Sequence, residues 1–124
     1  MKIKESAENY LEAILMIKKK KGNVRSIDIA NQLNFTKPSV SVAMKSFREE
    51  GYIIVDHEGN ITLTEKGMRI AGNVYERHEI IAIALMALGV KEETAYEDSC
   101  KIEHDISQET FERLKDHMRK HNIL

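Results

Sequence analysis

Between residues 26 and 64 the chain spells a short helix, a tight turn, a second helix and two β-branched runs, and few folds accept that order. Ser26 is a natural N-cap, and Ile27, Ala30 and Leu33 recur at helical spacing over residues 26–33. Asn34-Phe35 supplies the turn. Thr36 stands as N-cap of a helix over about 37 to 50, with Pro38 in its first turn, where a missing N–H is harmless. Val40, Met44 and Phe47 share one face of that helix.

The opposite face is informative. With Val40 as zero and an advance of about 100° per residue, Pro38, Ser41, Val42 and Lys45 fall on the far side. That face is small, hydroxylated and basic, with an exposed valine. Hydroxyls and lysines reach phosphates, and small side chains let a helix sink into a major groove. The pattern is a helix-turn-helix. Thr36, Ser39, Ser41 and Lys45 are candidate phosphate contacts, with Lys37 and Arg25 as further ones. Pro38 and Val42 are candidates for base edges, Val42 through a thymine methyl. The bland alternative is a three-helix core whose third helix is merely solvated.

The next segment weighs against that alternative. Gly51 stops the helix, Tyr52-Ile53-Ile54-Val55 reads as a strand, Asp56 to Asn60 as a turn, and Ile61-Thr62-Leu63-Thr64 as a second strand. A hairpin in this place is the wing of a winged helix. Its tip is acidic, so it is no phosphate clamp, and His57 there reads as solvent-facing.

Around this unit the chain is helical. Residues 5–20 carry Tyr10, Ile14 and Ile17 on one stripe, with Asn9 and Glu12 three apart on the other side. Thr64-Glu65-Lys66-Gly67 opens a long helix to about Ala87, whose Val74, Ile81 and Leu85 stripe includes His78. Helices over 91–105 and 108–120 follow, the latter capped by Ser107 and facing inward through Phe111, Leu114 and Met118. His117 and His121, four apart, read as a solvated end. The expected class is mainly α: a winged helix-turn-helix DNA-binding domain over 1–64, then a helical domain over 65–124.

One short stretch carries metal chemistry. In Cys100-Lys101-Ile102-Glu103-His104, a thiol, a carboxylate and an imidazole lie at i, i+3 and i+4. On a helix they share a face, and all three ligate divalent transition metals. The alternative at this point is a half-buried cysteine beside a solvated Glu-His pair.

Composition adds bounds. The formal net charge of -1 announces no global basic field. Residues 1–66 carry eleven Lys/Arg against nine Asp/Glu, and residues 67–124 eight against eleven, which suits a DNA-binding front and a metal-collecting back. A single cysteine makes no internal disulfide, so the chain reads as intracellular and cytoplasmic. The start, Met1 to Glu5, has no apolar leader region, and the apolar run Ile80 to Leu88 is too short for a bilayer, so no membrane partner is expected.

The blocks Glu8-Asn9-Tyr10-Leu11-Glu12-Ala13-Ile14, Lys37-Pro38-Ser39-Val40-Ser41, Leu63-Thr64-Glu65-Lys66-Gly67, Arg77-His78-Glu79 and Cys100 to His104 occur in order along almost the whole chain. Together they resemble the metal-dependent repressor family of the diphtheria toxin repressor and the manganese transport regulator. The resemblance implies a homodimer that binds a double-stranded DNA operator, an inverted repeat, when a divalent corepressor is bound. It implies metal ligands at Asn9, Glu12, His78, Cys100, Glu103 and His104, joining the first helix to the dimerisation helices. It also implies a chain that ends before the SH3-like domain of longer members.

Two positions depart from the family's patterns. Asn9 stands where manganese-type members have Asp and toxin-repressor members Met. Cys100 stands where manganese-type members have Glu. A thiolate softens the site, which favours Fe²⁺ as cofactor over Mn²⁺. Ala82 and Tyr96 occupy the ligand positions of the toxin-repressor ancillary site, so that site is expected to be lost. Two rivals remain: a winged-helix regulator answering a small ligand or a redox signal at Cys100, and a metalloenzyme. The second lacks the paired Glu-x-x-His of di-iron bundles.

Overall fold

The structure is a computed structural model that describes residues 5–124. The leader reading of Met1 to Lys4 lies outside the described residues. The elements are α1 (Glu5–Lys21), α2 (Ser26–Leu33), α3 (Lys37–Glu49), β1 (Ile53–Val55), β2 (Ile61–Leu63), α4 (Glu65–Ala87), α5 (Glu92–Ile102) and α6 (Gln108–Lys120). The backbone divides into two compact units, Met1–Gly72 and Asn73–Leu124, and the division falls inside α4. The first is a winged helix and the second is helical.

In the first unit α1 packs on α2 and β2, and α3 on α2 and β1. Tyr10, Phe35, Phe47 and Tyr52 form a chain of tilted and edge-on rings at 5.5–6.3 Å, the geometry aromatic quadrupoles favour. The wing is a two-stranded antiparallel sheet with Ile54 opposite Thr62. The Ile61 N–H donates to the Val24 carbonyl at 2.8 Å, which ties the wing to the α1–α2 link. At the tip the Asp56 carboxylate accepts from the Glu58 and Asn60 N–H groups, and Gly59 takes φ +88. His57 is exposed there, as its place in the turn implies.

Thr36 caps α3, accepting from the Ser39 N–H at 3.3 Å, with Pro38 in the first turn. At α2 the cap is Arg25 and not Ser26: the Arg25 N–H donates to the Asp28 carboxylate at 2.9 Å. The buried stripe of α2 also differs from the pattern. Ile29 is fully buried, while Ile27 is 41% exposed. The two lie about 200° apart on a helix, so one alone can face inward. Leu33 and Ala30 fall within about 100° of Ile29, and the helix turns that side to α1 and α3.

Lys21 bonds Asp28 at 2.6 Å and holds its carboxyl below the usual range. A depressed carboxylate contributes stability that is present above its unfolded pKa and is lost as pH falls through the folded value. Asp28→Asn should therefore cost about 1 kcal/mol at neutral pH. In urea melts the gap from wild type should narrow as pH falls below the ordinary carboxylate range toward the depressed folded value; a gap independent of pH would show that the charge is not involved.

Gly67 sets the start of α4. A Cβ built there would stand 2.1 Å from the Tyr52 carbonyl oxygen and 3.2 Å from Leu63 Cδ2. Thr64 locks the same corner: its hydroxyl donates to the Gly51 carbonyl at 2.7 Å and accepts from the Gly67 N–H at 3.1 Å.

The second unit has its own core of Ile80, Phe111 and Met118, flanked by Ile83, Ala84, Ile106, Leu114 and Ile123. The end of α6 is not frayed. Asn122 takes φ +57, and the Ile123 N–H donates to the Met118 carbonyl at 2.8 Å. This is a Schellman ending with its apolar residue packed on the core. Among the described residues no helix is long and apolar enough to cross a membrane.

Candidate metal centre

His78 is buried on α4, in the stripe its spacing predicts. Cys100 lies in the last turn of α5 and is exposed. That helix ends at Ile102, earlier than the sequence pattern suggests. Glu103 is its C-cap, still in right-handed helical conformation, with its N–H on the Ser99 carbonyl, and His104 stands in the following turn. Cys100 and Glu103 thus share a helical face, whereas His104 reaches the group from beyond the helix.

His78, Cys100 and Glu103 each offer a ligand atom, and the three atoms lie within 4.8 Å of one another. The Glu103 side chain is 0% exposed and stands between two imidazoles. Its Oε2 accepts from His78 Nδ1 at 2.9 Å. Its Oε1 makes no hydrogen bond and faces His104 Nε2 at 3.3 Å. A buried carboxylate oxygen without a donor is costly, and a cation between these groups would satisfy it. The His104 residue is only partly buried, but its side chain is 2% exposed, so the ring belongs to the enclosed group. His78, Cys100 and Glu103, with His104 beside them, would hold such an ion. Imidazole, thiolate and carboxylate are a borderline donor set. The residues fit a divalent transition metal.

His78 carries the electrostatics. The hydrogen bond with the Cys100 sulfur at 3.6 Å and the Glu103 carboxylate together push the imidazole up, to about 10, against the opposing effect of burial. Both groups face the same nitrogen, Nδ1, and favour the protonated ring. Ligation needs its neutral form, so proton and metal compete for it.

The pattern did not single out Ser99, which is fully buried. Its hydroxyl donates to the His78 carbonyl at 2.5 Å and lies 3.4 Å from Nδ1. Tyr96 packs its ring 5.3 Å from His78 and donates its hydroxyl to Glu79 at 3.1 Å. Burial and then Glu79 raise the Tyr96 phenol above its ordinary value.

Asn9 and Glu12 are carried by α1, in the first unit. Asn9 is half-buried and Glu12 buried. On α3, Val40, Met44 and Phe47 are buried, while Thr36, Lys37, Pro38, Ser39, Ser41 and Lys45 are exposed and Val42 is 71% exposed. The Thr36 hydroxyl donates to the Ser39 hydroxyl at 2.8 Å, so these two are partly engaged in capping. Arg25, Ser26, Ile27, Lys37, Ser41 and Gly59 line one open cleft between the start of α2, α3 and the wing tip.

Comparison with known proteins decides what this combination is. Residues 2–61 match the model of the iron dependent repressor N-terminal DNA binding domain, and residues 64–123 that of the iron dependent repressor metal binding and dimerisation domain. The chain belongs to the iron-dependent repressor family. The repressor is 39% identical, over 94% of both chains, to an uncharacterized HTH-type transcriptional regulator of Methanocaldococcus jannaschii. It is 34% identical to the transcriptional regulator MntR of Bacillus subtilis, over 90% of this chain and 78% of the relative. Among solved structures it resembles T. acidophilum IdeR, with TM-score 0.81 and 25% identity over 95% of this chain. It also resembles the manganese regulator SloR, with TM-score 0.78 and 26% identity over 91%. It spans about half the length of those two chains, 55% and 53%. The repressor is thus a metal-dependent DNA-binding transcriptional regulator, with a dimerisation domain and a winged-helix reading head. The relatives are transcriptional regulators and not enzymes.

Proposed function

We propose that this repressor is switched on for operator binding by Fe²⁺, with Mn²⁺ the alternative corepressor. His78, Cys100, Glu103 and His104 hold the ion, and Asn9 and Glu12 complete the ligand set. The observation that carries this reading is the convergence of imidazole, thiol and carboxylate ligand atoms within 4.8 Å. A thiolate donor favours iron over manganese, which prefers hard oxygen ligands.

The DNA-reading surface is the outward face of α3. Ser39, Ser41 and Lys45 reach phosphates, with Thr36, Lys37 and Arg25 beside them, and Pro38 and Val42 meet base edges. A homodimer presents two such helices to an inverted repeat, and reads it only when their spacing matches the operator. The metal acts by favouring that conformer. A differential of about 3 kcal/mol would change DNA affinity by roughly a hundredfold. The functional division we assign is 1–64 for DNA and 65–124 for metal and dimer. The protein works in the cytoplasm and catalyses nothing.

The test is anaerobic operator binding with Fe²⁺, Mn²⁺ and Zn²⁺ in turn, on wild type, Cys100→Ala and Cys100→Glu. Wild type should respond at lower Fe²⁺ than Mn²⁺. Cys100→Glu should reverse that order, and Cys100→Ala should weaken the response to every ion. If Cys100→Ala behaves as wild type with all three, the thiol is not a ligand. If no divalent ion changes DNA affinity, the signal is of another kind.

A further inference from the structure

Glu103 and His104 sit where a helix gives out, yet their side chains are among the most enclosed in the second unit. Something must fix that end of the chain. The last carbonyls of a helix have no partner within it, and residues 103–107 form no regular element. The side chain that meets them is Arg77, the neighbour of His78 on α4. Its Nη1 donates to the Glu103 carbonyl at 3.2 Å and to the Ile106 carbonyl at 2.9 Å, and its Nη2 donates to Gln108 Oε1 at 2.8 Å. Its guanidinium lies 5.4 Å from the centre of the Phe111 ring.

We infer that Arg77 is the positioning residue of the metal centre: one guanidinium holds the Glu103–Gln108 link against α4, and so fixes Glu103 and His104 relative to His78. Three acceptors on one planar fork define an orientation as well as a distance. Two are main-chain carbonyls, so the restraint acts on the backbone that carries the ligands and not on the ligand atoms. Arg77 and His78 are adjacent on one helix, so the same stretch of α4 supplies one ligand and aligns two others. Groups that orient ligands commonly change metal affinity by about 10–100-fold.

This inference rests on the ligand set proposed above, and cobalt separates the two. Co²⁺ bound by a thiolate gives a charge-transfer band, and its d–d bands report ligand geometry. Full-length wild type, Arg77→Met, Arg77→Lys and Lys115→Met are titrated with Co²⁺, and their thermal stability is measured without metal. Lys115→Met is the control: Lys115 also flanks Phe111, but its ion pair, at 3.2 Å, is with Glu76 and not with residues 103–106.

Arg77→Met should bind Co²⁺ about 10–100-fold more weakly, with shifted d–d bands. Arg77→Lys should recover part of both, because an ammonium cannot serve three acceptors as a fork does. Lys115→Met should lose stability and keep the wild-type spectrum and affinity. If Arg77→Met does not fold, Arg77→Lys carries the test through its own affinity and spectrum. An Arg77 variant that folds with wild-type affinity and bands overturns the inference, as does a Lys115→Met variant with the same loss of affinity and the same band shift. A wild type without the charge-transfer band overturns the ligand set itself, and the inference with it.

Discussion

Glu103→Gln should raise the metal concentration needed for operator binding by about a hundredfold or more, while leaving metal-free DNA affinity unchanged. The substitution keeps the shape of the side chain and removes its charge. One oxygen now faces His78 at 2.9 Å and the other His104 at 3.3 Å. A neutral amide is a poor ligand for a dication, and only its oxygen can accept from an imidazole N–H. The metal-free fold should lose stability, since removing one partner of a buried pair leaves the other uncompensated, so the titration is read below the melting temperature of the variant. DNA binding titrated with Fe²⁺ or Mn²⁺, beside a thermal melt of the metal-free protein, reads both arms. Half-saturation at the wild-type metal concentration would remove Glu103 from the ligand set.

Gly67→Ala should destabilise the first unit by about 3 kcal/mol. The added methyl meets a main-chain carbonyl at 2.1 Å, and a carbonyl cannot swing aside as a flexible side chain can. Relief requires the start of α4 to lift from the wing. That would break the Thr64 bonds to the Gly51 carbonyl and from the Gly67 N–H, and stretch the Lys66 bond to the Glu50 carbonyl at 3.0 Å. Gly72→Ala, on the same helix with open space where its Cβ would stand, is the control. It should be neutral or slightly stabilising through helix propensity. Urea melts of the two variants decide it: equal midpoints would mean that the corner at Tyr52 gives way easily.

The winged helix was legible because its signals are local and independent. A cap at Thr36, a proline in the first turn, a β-branched run and an Asp-Gly-rich tip each point to one element. Where two readings of a pattern compete, the sequence is less decisive. Ile27 and Ile29 are both apolar on an eight-residue helix, and only the packing of α2 against α1 and α3 shows that Ile29 is the buried one. The end of α5 was hard to place for a related reason. Residues 103–107 carry no glycine or proline to mark a stop, and carbonyls just past the helix end accept from Arg77 instead. The candidate ligands were visible as residue types at the right spacing. Arg77 stood in one of the matching blocks, but its contacts were not visible, because two of its partners are main-chain carbonyls 26 and 29 residues away. Carbonyls have no sequence signature. Ser99 was hidden for the same reason, since its hydroxyl also bonds a main-chain oxygen.

The outward face of α3 has a further implication. Ser41, Val42 and Lys45 are exposed, while the helix is anchored by Val40, Met44 and Phe47 on its other side. Exposed substitutions of this kind usually move stability by no more than about 0.5 kcal/mol. Drift at these three positions is therefore almost invisible to selection for foldedness. On the proposed reading of this face, descendants of one such gene would acquire different operators through a few codon changes, with no compensating change elsewhere in the protein. The regulon is cheaper to rewrite than the fold, and duplicated copies can diverge in what they control long before they diverge in shape.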